Sequence, residues 1–203
     1  MDFSVSETCS ALMRAFAGEC QAHTRYLLAA RTAVRQELHV LRQVFELTAK
    51  QELIHAELFA GKLQQNGVTV IRPAEEYPLD PAQDLRCILE AAVQHELHEA
   101  DTVYPEFAAR AAAEGCVQEA ELFRGIAEIE RSHAKRFQMF AGLMQQNALF
   151  RSEEQTVWLC LNCGHLHFGT EPPQNCPVCN AVQGFSVRQQ TAPFTLTEGE
   201  TLR

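Results

Sequence analysis

Residues 126–137 read IAEIERSHAKRF and residues 51–55 read QELIH. Each stretch contains Glu-x-x-His, as Glu130 with His133 and Glu52 with His55. Positions i and i+3 share a helix face, so each pair presents a carboxylate and an imidazole to one point. A single such pair in a helix is ordinarily a solvated face. The fold therefore turns on whether both pairs lie in helices and face the interior.

The surrounding sequence is helical. Residues from about 3 to 66 are rich in Ala, Leu, Glu, Gln and Arg, contain no proline, and repeat apolar groups every three or four positions. Leu12, Ala15, Phe16 and Glu19 form one such series, and Val44, Leu47, Glu52, His55 and Phe59 another. Two long helices fit, with a turn near residues 34–39, and Asn66-Gly67 ends the second. The stretch VTVIRPAEEYPLDPAQD (68–84), with its three prolines, reads as a long connection. A second helical pair follows, one arm over residues 84–115 ending at Gly115 and the other over residues 116–147. Pro105 lies inside the third helical pattern and predicts a kink or local break. Two hairpins joined by one long crossover make a mainly α chain, a ferritin-like four-helix bundle, over residues 1–147.

The other two helices supply further carboxylates to the interior. Helix one places Glu19 in the apolar run AFAGEC, and helix three carries Glu96 and Glu99 in ELHE. Five carboxylates and two imidazoles are costly to bury without cations, because low-dielectric surroundings disfavour the charged carboxylate. Bundles that hold two iron or manganese ions use one Glu from each of two helices and Glu-x-x-His from each of the other two. This chain meets that pattern with one extra carboxylate, and oxygen ligands with imidazole suit iron or manganese. Tyr26, two turns beyond Glu19, and Tyr104, five residues beyond Glu99, are placed to hydrogen-bond a ligand or to pack in the core. His23, His95 and His98 share no such pattern and read as surface or outlying groups, and Glu128 points elsewhere on its helix.

After Asn147 the helical signal fades. Residues 148–156 read as a linker, and residues 157–203 as a small metal-held β module with a tail. Its core, WLCLNCGHLHFGTEPPQNCPVC (158–179), has two C-x-x-C knuckles twelve residues apart, so Cys160, Cys163, Cys176 and Cys179 can enclose one tetrahedral ion. The spacing alone leaves zinc and iron open. The upstream ligands favour iron, since a redox centre in the bundle must be refilled with electrons and zinc cannot carry them.

Composition sets outer bounds. A chain of 203 residues holds one substantial core and a small appendage. Its net charge of -9 argues against a nucleic-acid partner, and no stretch is apolar enough to cross a bilayer. The N-terminal stretch lacks a basic region followed by an apolar one, and Cys9, Cys20, Cys87 and Cys116 follow no pairing pattern. Both features predict a cytoplasmic protein with reduced thiols, mostly packing groups.

The stretches AFAGECQAHTRY (15–26), ELIH (52–55), HELHEADTVYPEFA (95–108), IAEIERSHAKRF and the two-knuckle segment resemble, in order, the rubrerythrin family. That family joins a ferritin-like di-iron domain to a C-terminal rubredoxin-like domain. The resemblance implies di-iron ligands at Glu19, Glu52, His55, Glu96, Glu99, Glu130 and His133, with Glu52 and Glu130 bridging. It also implies one iron at Cys160, Cys163, Cys176 and Cys179, and hydrogen bonds from Tyr26 and Tyr104 to ligands. One iron is expected to exchange Glu99, when oxidised, for His55, when reduced.

The activity it implies is peroxidase, reduction of hydrogen peroxide to water in oxidative stress defence. Electrons are expected from NAD(P)H through a reductase or rubredoxin, entering at the four-cysteine iron, in a homodimer whose modules approach the partner's di-iron site. The chain has no G-x-G-x-x-G fingerprint, so the reductase is a separate protein. His165 stands where a rubredoxin more often has tyrosine, which leaves the potential of that iron open. The competing readings are a ferroxidase or iron-handling protein, and a metal-stabilised scaffold with a zinc ribbon.

Overall fold

The computed structural model describes residues 3–73, 76–79 and 84–192. Parts of the predicted connection, residues 74–75 and 80–83, and the tail 193–203 lie outside the described residues. The order of elements is α1 (Glu7–Arg35), α2 (His39–Gln65), α3 (Leu85–His98), a π-helical turn (Glu99–Val103), α4 (Tyr104–Ala113), α5 (Val117–Gln145), β1 (Thr156–Cys160), β2 (Leu166–Gly169) and β3 (Ser186–Arg188). Helix α1 packs chiefly on α2, while α3, the π turn and α4 form one rod against α5. No helix is long and apolar enough to cross a membrane among the described residues.

All four rods stop in the same way. Residues 37, 67, 115 and 147 adopt positive φ, and the following N–H returns to the carbonyl five residues back, as in Leu38 to Ala33 and Ala148 to Leu143. Gly67, Gly115 and Asn147 tolerate this conformation readily; at the first turn the residue is Glu37, with φ of 56°. The start of α1 is secured from another helix. Glu114, at the end of α4, accepts from the Glu7 and Thr8 backbone N–H groups at 3.0 and 2.8 Å and from the Thr8 hydroxyl at 2.5 Å. A carboxylate there satisfies free N–H groups and meets the positive end of the helix dipole.

The break predicted at Pro105 falls just before it. Proline has no N–H to return to the preceding turn, and the chain accommodates this by widening residues 99–103 into a π turn, closed by Tyr104 N–H to Glu99 O. The consequence reaches the interior. Five residues of α-helix would rotate Tyr104 about 140° away from Glu99, whereas the wider π turn reduces that separation.

Two apolar clusters fill the bundle, one toward each end. Tyr26, Phe45 and Phe137 pack together in the first, and Phe59, Tyr104, Phe107 and Phe123 in the second. Each buried aromatic or aliphatic side chain contributes about 1.5–3 kcal/mol. The Glu-x-x-His motifs lie on the helices that join these clusters.

The β module is an antiparallel sheet in the order β2-β1-β3, organised around buried Trp158, whose indole N–H donates to Gly169 O at 3.0 Å. It sits against the end of the bundle. Val187 belongs to the first apolar cluster, Phe185 stacks on His39 with centroids 3.9 Å apart, and Gly184 lies directly on the α1–α2 turn. The stretch predicted as a linker is tied on both sides: Ser152 N–H donates to Thr170 O at 2.7 Å, and Arg188 Nη2 donates to Ala148 O at 3.0 Å.

A β-carbon at Gly184 would lie 1.7 Å from the Glu37 carbonyl oxygen. Gly184→Ala is expected to cost about 1–3 kcal/mol and to increase cleavage within residues 148–156, as read by thermal unfolding and limited proteolysis. The Glu114 pKa is lowered by its bonds to Thr8 and Glu7. A depressed carboxylate stabilises the fold above its unfolded pKa and ceases to do so as pH falls through its folded value. The melting temperature of Glu114→Gln should accordingly sit below wild type at neutral pH and converge with it in acid.

Candidate metal centres

Six ionisable side chains, Glu19, Glu52, His55, Glu96, Glu130 and His133, meet in the bundle at 0–4% exposure. Their donor atoms fall into two sets, each within 4.8 Å. One is Glu19, Glu52, His55 and Glu130; the other is Glu52, Glu96, Glu130 and His133. Glu52 and Glu130 belong to both, and each divides its two oxygens between the imidazoles. Glu52 Oε2 lies 3.0 Å from His55 Nδ1 and its Oε1 3.0 Å from His133 Nδ1. Glu130 Oε1 lies 3.0 Å from His55 Nδ1 and its Oε2 2.7 Å from His133 Nδ1. Glu19 approaches His55 at 3.7 Å, and Glu96 approaches His133 at 3.4 Å.

These close approaches lack hydrogen-bond alignment. Both oxygens of Glu52 and of Glu130, one each of Glu19 and Glu96, Nδ1 of His55 and both ring nitrogens of His133 are buried without a hydrogen-bond partner. Buried polar atoms normally find partners. Here the lone pairs converge on the spaces between side chains, in the donor chemistry and number that suit two iron or manganese ions.

Electrostatics agree. Burial, followed by the charge of Glu130, raises the Glu19 pKa well above the usual carboxylate range. Burial and then Glu52 raise Glu96 to about 8, and burial and then Glu96 raise Glu99. Burial opposes a charge on His55, yet contacts with Glu130, Glu19 and Glu52 outweigh it and push the pKa up to about 12. The site as a whole is short of positive charge and attracts cations.

Tyrosines hold the outer carboxylates. Tyr26 donates its hydroxyl to Glu96 Oε1 and Tyr104 donates to Glu19 Oε1, so each bond spans two helices. The remaining oxygen of each glutamate is left to face the site. Of the seven predicted di-iron ligands, Glu99 alone lies outside both donor sets; it opens the π turn and keeps partial exposure as a residue. His55 occupies the set in which the two were expected to alternate.

Among the other histidines, His23 Nδ1 bonds to Ala49 O at 2.7 Å across the α1–α2 pair, and His98 is exposed, as is Glu128. Of the scattered cysteines Cys9 is buried, Cys20 and Cys116 are half-buried and Cys87 is exposed. Spacing gave no sign of Arg136, a buried cation beside the site, because nothing marks it apart from the other arginines of α5.

In the β module the four cysteine sulfurs also lie within 4.8 Å of one another. Cys160 Sγ to Cys179 Sγ is 3.8 Å and Cys163 Sγ to Cys176 Sγ is 3.7 Å. Those are the edges of a regular tetrahedron with a metal–sulfur distance of about 2.3 Å. Each knuckle is closed by a residue of positive φ after its second cysteine, Gly164 and Asn180. Gly164 N–H returns to Cys160 O at 2.8 Å and Asn180 N–H to Cys176 O at 2.9 Å. The Asn162 amide donates to Cys179 Sγ at 3.4 Å, and this bond is the main reason that thiol's pKa falls to about 6. A lowered pKa favours the thiolate needed for ligation.

Comparison with known proteins gives the same picture. The family model for rubrerythrin matches residues 10–141 and 87–157, and that for the rubredoxin-like domain of rubrerythrin matches residues 158–185. The chain is 35% identical to a rubrerythrin of Clostridium perfringens over 183 residues, covering 89% of this chain and 93% of that one. It is 34% identical to a rubrerythrin of Nitratidesulfovibrio vulgaris over 174 residues, covering 86% and 90%. A solved structure of nigerythrin in its partially reduced state superposes with a TM-score of 0.62 at 24% identity, covering 93% of each chain, a likeness of fold. The bundle thus carries a rubrerythrin-type di-iron site, and Cys160, Cys163, Cys176 and Cys179 form a rubredoxin-like iron site. By sequence, fold and metal-site chemistry together, the chain belongs to the rubrerythrin family.

Proposed function

We propose that this oxidoreductase is a peroxidase that reduces hydrogen peroxide to water at the di-iron centre. Electrons come from NAD(P)H through a separate reductase or rubredoxin, by way of the four-cysteine module. The observation that carries the reading is the pairing, in one chain, of two carboxylate–histidine donor sets sharing Glu52 and Glu130 with a preformed tetrahedron of sulfurs. A ferroxidase takes electrons from its own substrate and has no use for such a module.

In this reading Glu19, Glu52, His55 and Glu130 hold one iron and Glu52, Glu96, Glu130 and His133 the other. Loaded, the centre supplies two electrons and the Lewis acidity that polarises the O–O bond. Peroxide, two electrons and two protons then give two molecules of water. The protein's part is positioning. Glu52 and Glu130 span the two sets, while Tyr26 and Tyr104 fix Glu96 and Glu19 by their hydroxyls. The aromatic clusters on either side exclude bulk water and keep the site's dielectric low. We assign Glu99 as the carboxylate that exchanges with His55, since added positive charge on the metals favours a carboxylate over a neutral ring.

We also propose that the protein acts in the cytoplasm as a homodimer. Partly exposed Leu27, Leu28 and Val34 of α1 with Leu53, Ile54 and Leu58 of α2 support self-association.

Two experiments test this function. Glu52→Ala or Glu130→Ala is expected to lose both bundle irons, whereas Glu19→Ala or Glu96→Ala weakens one position and retains the other, as read by metal analysis. Replacing Cys160 and Cys163 with Ser is expected to abolish NAD(P)H-coupled peroxide turnover while the chemically reduced bundle still consumes peroxide once. Coupled turnover that survived would refute the relay.

A further inference from the structure

Arg136 lies one turn beyond His133 on α5 and is 4% exposed. Its Nη1 donates to Thr48 Oγ1 at 2.7 Å and to Gln51 Oε1 at 2.9 Å, both on α2. Gln51 precedes Glu52 in the chain, and Thr48 lies one turn before it. Helices α2 and α5 are not hairpin partners, yet they carry the two Glu-x-x-His motifs. These bonds therefore join the two hairpins at the level of the metal site. Both of these acceptors are neutral groups.

A guanidinium at this depth needs negative charge nearby. Burial lowers the pKa of Arg136, and the groups that most oppose that loss of charge are carboxylates of the metal site, Glu96, then Glu52, then Glu130. On the ligand reading proposed above, Glu99 gives way to His55 in the reduced centre, so its carboxylates are Glu19, Glu52, Glu96 and Glu130. Their four negative charges match the positive charge of two ferrous ions. The buried guanidinium is then a positive charge added beside a balanced reduced centre. Oxidation adds positive charge, which the same guanidinium opposes.

We propose that Arg136 is a positioning residue that raises the reduction potential of the di-iron centre through its charge and fixes the Glu52–His55 segment against α5 through its fork. The reduced centre is thereby easier to regenerate from an external donor. The two roles separate in variants. Arg136→Lys keeps the charge and loses the planar fork; Arg136→Met keeps much of the length and loses both.

The test uses the full-length, iron-loaded protein, with the di-iron midpoint potential read by anaerobic spectroelectrochemical titration and the thermal stability of the metal-free protein read in parallel. Arg136→Met is expected to shift the midpoint to more negative potential, and Arg136→Lys to stay at the wild-type value. Both should lower the unfolding temperature. A wild-type midpoint in Arg136→Met, or an equal shift in Arg136→Lys, would overturn the proposal. If Arg136→Met does not fold, Arg136→Gln, which keeps a hydrogen-bond donor without the charge, replaces it under the same outcomes. A wild type that cycles its two irons but ignores peroxide would refute the proposed reaction and leave this comparison intact.

Discussion

The structure depends on burying carboxylates and imidazoles at the centre of a helical bundle. Glu19, Glu52, His55, Glu96, Glu130 and His133 are withdrawn from water almost completely. Isolated buried carboxylates favour their neutral form. What makes the arrangement tenable is that the donors converge on two places where cations fit. The aromatic clusters at either side supply the apolar burial that offsets the cost of this polar belt. Arg136 and the two tyrosines anchor the belt to more than one helix.

Each helix contributes to that constraint in its own way. The i, i+3 spacing on α2 and α5 gives the shared carboxylates and the imidazoles, and α1 gives Glu19 with Tyr26 two turns on. The third rod is different. Its π turn shifts the helical register between Glu96 and Tyr104, and the Tyr104 hydroxyl reaches Glu19 on α1 while Glu96 remains in the second donor set. Proline at 105 is the local cause, and the arrangement of the metal site is the consequence.

Much of this was legible in the sequence because periodicity and end signals act locally. The four rods, the stops at Gly67, Gly115 and Asn147, and both knuckles follow from residue type and spacing. The turn at Glu37 carries no glycine to announce it. The π turn leaves composition unchanged, and only the hydrogen-bond register distinguishes it from α-helix. Glu99 has the same spacing from Glu96 as a ligand would, so sequence alone cannot separate it from the six that converge. The contact of Gly184 with Glu37 and the bonds of Arg136 to Thr48 and Gln51 join residues far apart in the chain, beyond the reach of any local pattern.

If the buried belt is a two-iron site, diffraction from crystals of protein loaded with iron without air, measured on either side of the iron absorption edge, will locate both ions. Two anomalous peaks are expected in the bundle, one beside His55 and one beside His133, both within bonding reach of Glu52 and Glu130, and a third among the four cysteines. A bundle with no peak, or with a single peak shared by both histidines, would contradict a two-iron site.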